Sequence, residues 1–185
     1  MSVNETAVEQ ILQTQLSPYL IVKNANEAIK FYEQLFGAKE VFRMPGPNDE
    51  VYHAELLIKN SIIMLSDEMP DNKANPSGEG NPVTIGLFVN NVDAVTARAK
   101  ELGATVEREP ITEYYGIRMS SIVDPYGIRW GISTRVEMLS NEEILRRHKE
   151  WMKTHKMQIG GTDKYEEKYL KYKAKYLASK NKFVR

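Results

Sequence analysis

His53 and Glu55 stand two apart in the run Val51-Tyr-His-Ala-Glu-Leu-Leu-Ile58, whose composition and alternation predict a β-strand. Residues i and i+2 share a strand face. An imidazole and a carboxylate placed this way can exchange protons, supply two donors to an unusual metal site, or hold each other in a structural hydrogen bond. The residues alone leave all three open. Arg118 is the other group with clear chemistry. Its guanidinium fork can clamp a carboxylate or phosphate of a ligand, or pair with Glu55 or Glu113 inside the fold. Arg129 reads as a solvated or interface arginine. His148 and His155 share one predicted helix without a third donor, which is a structural pattern. Gly78-Glu-Gly80 lacks the flanking strand and helix that a phosphate-binding loop requires.

The elements that must position these groups are written twice. Leu20-Ile-Val-Lys-Asn-Ala-Asn-Glu-Ala-Ile-Lys-Phe-Tyr-Glu-Gln-Leu-Phe-Gly-Ala38 returns as Leu87-Phe-Val-Asn-Asn-Val-Asp-Ala-Val-Thr-Ala-Arg-Ala-Lys-Glu-Leu-Gly-Ala104. Each copy is an apolar strand, a polar turn, an amphipathic helix and a Gly-Ala stop, and further strand-like runs follow each. Asn24 or Asn26 can cap the helix over 25–36, and Gly37 can close it. The second copy predicts strand 83–90, helix 91–102, and strands 104–108, 115–123 and 128–134. The fold expected is α+β: two tandem βαβββ modules whose curved mixed sheets surround a cleft, plus C-terminal helices. The expected organisation is a polar leader over 1–15, a first module over 16–68, a linker over 69–82 and a second module over 83–136. A helix over 137–159, opened by a Ser140/Glu143 capping box, and a Lys/Tyr-rich helical tail over 160–185 complete it. In that tail Tyr165, Tyr169, Tyr172 and Tyr176 form a short heptad-like stripe suited to helix packing.

The 185 residues are 42% hydrophobic and carry 25 basic and 25 acidic side chains, a balance that gives no electrostatic footprint for nucleic acid or an anionic membrane. No apolar run approaches the ~20 residues of a membrane span. No secretory signal is legible at the N-terminus, and the absence of cysteine removes disulfides and thiolate chemistry. A cytoplasmic protein is expected.

Several segments together carry a resemblance. They are Pro18-Tyr-Leu20, Ala28-Ile-Lys-Phe-Tyr32, Phe36-Gly-Ala38, His53-Ala-Glu55, Met64-Leu-Ser-Asp-Glu68, Tyr115-Gly-Ile-Arg118, Asp124-Pro-Tyr-Gly-Ile-Arg-Trp130 and Val136-Glu-Met-Leu-Ser-Asn-Glu-Glu143. As a set, over about residues 15–150, they resemble the vicinal-oxygen-chelate superfamily of glyoxalases, bleomycin-resistance proteins and dioxygenases, and its PhnB-like branch in particular. The tail is similar to Lys/Tyr tails of giant-virus proteins, which would place the chain in host cytoplasm or a virion. The resemblance implies a divalent metal held by His and Glu on the first and last strand of each module. Those positions here are Ser17, Met64, Thr84 and Gly131, a donor set unsuited to such an ion. Where relatives write Asp-Pro-Phe-Gly-His, this chain has Asp124-Pro-Tyr-Gly-Ile128, and Ile117 replaces the Asp of Gly-Asp-Arg. No metal and no cofactor are therefore expected.

If those four positions face the cleft, strand alternation sends Tyr19, Ile21, Gly86, Phe88, Arg129 and Ser133 there too, and Leu20, Val22, Ile85, Leu87, Trp130 and Ile132 to the core. His53, Glu55 and Leu57 would join the cleft face, opposite Arg118, Ser120 and Ile122. The expected ligand-binding residues are Tyr19, His53, Glu55, Met64, Thr84, Phe88, Arg118 and Ser120, with the catalytic residues left unassigned. The expected function is a homodimeric protein that binds a small organic ligand, anionic if Arg118 clamps it, with no nucleic-acid or membrane partner. Two alternatives stay open: a lyase, epimerase or dioxygenase using noncanonical residues, and a structural or virion component with a vestigial cleft.

Overall fold

The computed structural model describes residues 16–75, 77, 80 and 82–154; the predicted leader, His155 and the Lys/Tyr tail lie outside the described residues. The first module runs β1 (Tyr19–Val22), α1 (Ala25–Phe36), β2 (Lys39–Pro45), a short 3-10 turn (Pro47–Asp49), β3 (Val51–Ile58) and β4 (Ser61–Asp67). The second runs β5 (Ile85–Phe88), α2 (Val92–Glu101), β6 (Thr105–Thr112), β7 (Ile117–Val123) and β8 (Arg129–Arg135). Each module builds its own mixed four-stranded sheet, in the orders β1-β4-β3-β2 and β5-β8-β7-β6. In both sheets the outer pair β1/β4 or β5/β8 is parallel and the rest is antiparallel. The tandem βαβββ reading of the sequence is correct.

Equivalent helices start and stop by equivalent chemistry. Asn24 accepts a hydrogen bond from the Glu27 N–H (3.2 Å), and Asn91 does the same for Ala94 (3.0 Å). Gly37 ends α1 with φ of 66°, a left-handed conformation that costs glycine little. Behind each helix start sits a polar side chain at the end of the module's last strand. In the first module Asp67 accepts from the N–H groups of Ala25 and Val51, both at 2.8 Å. In the second, Thr134 accepts from the Val92 N–H at 2.8 Å and donates to the Val89 carbonyl at 3.0 Å. The start of the equivalent helix is thus secured by a different residue in each module, which is why this part of the repeat is hidden from residue-by-residue matching.

Two strands depart from expectation. The predicted strand 83–90 shortens to Ile85–Phe88, and 104–108 lengthens to Thr105–Thr112 despite Pro110. As the outer strand of its sheet, β6 tolerates a residue without an N–H, and its pairing with β7 shifts register around Arg108. A third helix, α3 (Asn141–Thr154), forms a separate unit; Ser140 Oγ accepts from the Glu143 N–H (3.2 Å), the first bond of the capping box, while the Glu143 carboxylate takes Arg146 and Arg147.

The helix-covered faces of both modules share one core, which holds Leu20, Val22, Ala54, Leu56 and Leu65 from the first sheet and Ile122, Trp130 and Ile132 from the second. Helix α1 joins them: Tyr32 and Phe36 lie 5.5 and 4.7 Å, ring centre to centre, from Trp130. At this junction Asp124 is buried. Its Oδ2 accepts from the Tyr32 hydroxyl (2.8 Å) and Trp130 Nε1 (2.9 Å), and its Oδ1 from the N–H groups of Tyr126 and Ile128 (both 2.9 Å). Burial pushes the Asp124 carboxyl upward against these four donors.

Breaking this junction should be costly. Tyr32→Phe is expected to lose about 1.5–3 kcal/mol, the worth of a hydrogen bond to a charged group. Asp124→Ala, which strands the buried Tyr32 hydroxyl and Trp130 N–H, should lose more, about 2–6 kcal/mol at roughly 1–3 per stranded donor. Urea unfolding of both variants checks the order; equal and small losses would contradict it.

Candidate functional site

On the face of the first sheet opposite α1, four strands place one residue each in a single row. Phe42, Glu55, Met64 and Tyr19 are successive cross-strand partners on β2, β3, β4 and β1. His53 lies on the next rung, opposite Met44. The Tyr19 hydroxyl is 3.2 Å from His53 Nδ1, and His53 Nε2 is 3.3 Å from Glu55 Oε1. The Tyr19, His53 and Phe42 rings follow one another at centroid separations of 5.6 and 6.0 Å. The predicted Tyr19, His53, Glu55 and Met64 therefore meet, and they meet as a hydrogen-bonded chain. Phe42 and Met44 complete the patch but went unnamed in the sequence reading. Their signal was the Pro45-Gly46-Pro47 turn, which folds β2 back onto β3, although the register shift between Glu40 and Phe42 obscures which residues face which.

Beside this patch, a cavity of about 500 Å³ lies between the start of the first module and the start of the second. Tyr19, Ile21, Thr84, Ile85 and Ile128 are among the residues of its wall, and Lys73 and Asn75 add polar groups. Thr84 enters the site here. Phe88 does not line the cavity; it lies on the helix-free face of the second sheet, opposite Ser133, with the Arg135 guanidinium 5.9 Å above its ring. The Lys59 ammonium, on the β3–β4 turn, donates to the Phe88 carbonyl and ties the two modules near this point.

Arg118 and Ser120 belong to the opposite face, a correction to the alternation reading. The β7–β8 register pairs Ser121 with Gly131 and Met119 with Ser133, so the odd-numbered residues of β7 share the helix-free face. Ser120 is fully buried under α2, 2.7 Å from Thr96 Oγ1. Thr96 already donates to the Val92 carbonyl at 2.7 Å, so Ser120 donates to Thr96. Arg118 forms a two-bond fork with Asp93 on α2, Nε to Oδ2 at 2.8 Å and Nη2 to Oδ1 at 2.6 Å. That fork holds the Asp93 carboxyl below its usual range. Neither expected partner, Glu55 nor Glu113, takes Arg118. Arg129 is paired with Glu107 at 2.8 Å.

Of the four positions that hold metal in the resemblance, Met64 and Gly131 lie within strands, and Thr84 lines the cavity. Met64 and Gly131 lie on the helix-free faces, and a side chain on Gly131 would meet Thr84 Cγ2 at 3.5 Å. A thioether, two hydroxyl side chains and a glycine do not fit a divalent ion that requires imidazole or carboxylate ligands. Among the described residues no three His, Asp or Glu side chains gather to replace them.

Because Asp93 takes the Arg118 fork, Arg118→Ala should change the binding of carboxylate and neutral probes alike. The Asp93 carboxyl, followed by NMR titration, should rise toward its ordinary range; the Arg118 contribution, present above the usual carboxylate range, is lost as pH falls through the depressed value. A selective loss of carboxylate-bearing ligands would contradict this.

Comparison with known proteins agrees with this architecture. A family model described as the Glyoxalase/Bleomycin resistance protein/Dioxygenase superfamily matches residues 10–132. An uncharacterized protein of Mycobacterium bovis is 37% identical over 138 residues, covering 72% of this chain and 91% of the relative. The PhnB protein of Bacillus cereus, 16% identical, shares the fold with a TM-score of 0.53, covering 65% of this chain and 99% of that one. The fosfomycin resistance protein FosX of Listeria monocytogenes, solved with Mn(II) and sulfate, is 21% identical with a TM-score of 0.53, covering 73% and 98%. The extent of the family match, the M. bovis relative and the paired βαβββ modules together establish that this chain belongs to the glyoxalase/bleomycin resistance protein/dioxygenase superfamily.

Proposed function

We propose that this protein binds a small organic molecule, without a metal, in the cavity beside Tyr19 and Thr84. The observation that carries the reading is the cavity itself: about 500 Å³, with Tyr19, Ile21, Ile85 and Ile128 among its apolar walls and Thr84, Lys73 and Asn75 as its polar side chains. That size and balance suit a small ligand, since apolar walls supply affinity and a few polar atoms fix orientation. The metal-free part rests on the donor chemistry of Ser17, Met64, Thr84 and Gly131. An anionic ligand is no longer supported by Arg118, which is engaged by Asp93. The Tyr19–His53–Glu55 chain favours a second reading, acid/base catalysis on the bound molecule, which turnover by the purified protein would establish.

The helix-free faces also support a homodimer. Tyr19, Phe42 and Met44 on the first sheet and Phe88 and Ile111 on the second are each about half exposed, between 47% and 52%. Large apolar side chains concentrated on open sheet faces mark surfaces that another molecule covers. The second copy would cover what the ligand does not.

Two measurements test these readings. Native mass spectrometry of protein taken gently from cell extract should show a small-molecule adduct, and Thr84→Trp, which fills the cavity from its rim, should abolish it. A clean apo mass for both proteins would overturn the binding reading. Light scattering should give a mass near twice 21.2 kDa; a concentration-independent monomer would overturn the dimer.

A further inference from the structure

Helix α3 is amphipathic. Ile144, His148 and Trp151 stand at intervals of four and three, and Leu145 and Met152 follow Ile144 and Trp151 by one step. The His148 and Trp151 rings stack along that side at a centroid separation of 6.3 Å. The polar side is tied to itself: Glu143 holds Arg146 and Arg147, and Glu150 holds Lys153. Yet no residue of α3 is buried, and Leu145 and Met152 are 59% and 45% exposed. A helix of 14 residues is marginal in water unless its apolar side packs on something.

The sequence that follows, outside the described residues, carries a matching pattern. His155 extends the α3 stripe, so positions 144, 148, 151 and 155 are spaced four, three, four. Tyr165, Tyr169, Tyr172 and Tyr176 repeat those intervals, and Gly160-Gly161 stands between the two stripes. Trp151 and Tyr169 are equally far from Gly160, and so are His148 and Tyr172, Ile144 and Tyr176, and His155 and Tyr165. Alternating steps of four and three make the seam of a helix pair, and an antiparallel partner presents its layers in reflected order. Leu170 and Leu177 flank the tyrosine stripe by one step, as Leu145 and Met152 flank the stripe on α3. Two glycines favour a chain reversal over a continued helix. Asp163 with Glu166 three residues on is the signature of a new helix start. A cover supplied by the same chain also outcompetes one from another molecule, since a short linker holds it at an effective concentration on the order of millimolar.

We propose that segment 162–178 folds back at Gly160-Gly161 as an antiparallel helix and covers the apolar side of α3. The surface is Ile144, Leu145, His148, Trp151 and Met152, and its partner is the tyrosine and leucine side of that segment. The proposal is independent of the cavity and of any ligand.

The chain contains no cysteine, so a single pair of thiols introduced into the full-length protein is joined without background. In Ile144→Cys/Tyr176→Cys the two thiols face each other across the hairpin; in Ile144→Cys/Tyr165→Cys they lie at its opposite ends. With a bismaleimide spanning about 8–10 Å, the separation of packed helix axes, the first pair should cross-link within one chain at least about tenfold faster than the second, the gain that proximity confers. In the unmodified protein, NOESY should show the Trp151 indole, assigned by Trp151→Phe, in contact with the Tyr169 ring. Equal or faster joining of the second pair, which is closer in sequence, would overturn the proposal. So would no cross-link in either pair, products of the first pair at twice the chain mass, or a Trp151 indole without contact to any of the four tyrosines.

Discussion

One buried carboxylate joins the halves of this molecule. Asp124 accepts hydrogen bonds from Tyr32 on α1 of the first module, from Trp130 on β8 of the second, and from the two N–H groups that shape the turn between β7 and β8. A carboxylate this deep is expensive unless every lone pair is answered, and here four donors answer it. The consequence reaches the cavity. Ile128, whose N–H is held by Asp124, lines the cavity directly, so the turn that fixes the junction also builds a wall of the site.

The second organising constraint is that each sheet has one face covered by its helix and one left open. The covered faces hold Leu20, Val22, Leu56, Ile122, Trp130 and Ile132, all nearly inaccessible. The open faces retain large apolar side chains together with the Tyr19–His53–Glu55 chain. Burial on one side satisfies the fold, and apolar area left on the other remains available to a ligand or a second subunit. The superfamily scaffold is present while the residues at its metal positions do not suit a metal, and a shared scaffold does not by itself assign a reaction.

Much of this was legible in the sequence because it is local or repeated. Asn24 and Gly37 announce helix ends by chemistry that needs no distant partner. The faces of β1, β4, β5 and β8 followed by alternation once the family resemblance had set Ser17, Met64, Thr84 and Gly131 toward the cleft, and the predicted meeting of Tyr19, His53, Glu55 and Met64 rests on both. The second sheet's β7 was harder. Ile117-Arg-Met-Ser-Ser-Ile-Val123 mixes polar and apolar residues on both faces, so nothing in it says which way it turns, and a one-residue slip in register exchanges the faces completely. Only the pairing of Ser121 with Gly131 settles that Arg118 and Ser120 point at α2. Arg118 looked like a ligand clamp because its partner, Asp93, lies on a helix whose approach cannot be read from spacing. The cavity was illegible for a similar reason: its walls come from β1, the approach to β5 and the β7–β8 turn, which are adjacent only in the folded chain.

We propose that the space beside Tyr19 and Thr84 holds an organic molecule and that no metal is held at Ser17, Met64, Thr84 and Gly131. Crystals of protein purified from cell extract without chelators, with diffraction collected at transition-metal absorption edges, test both halves at once. Density for an organic molecule in contact with Tyr19 and Thr84 is expected, with no anomalous peak at the four positions. An anomalous peak there with metal-like coordination distances, and no organic density in the cavity, would contradict it.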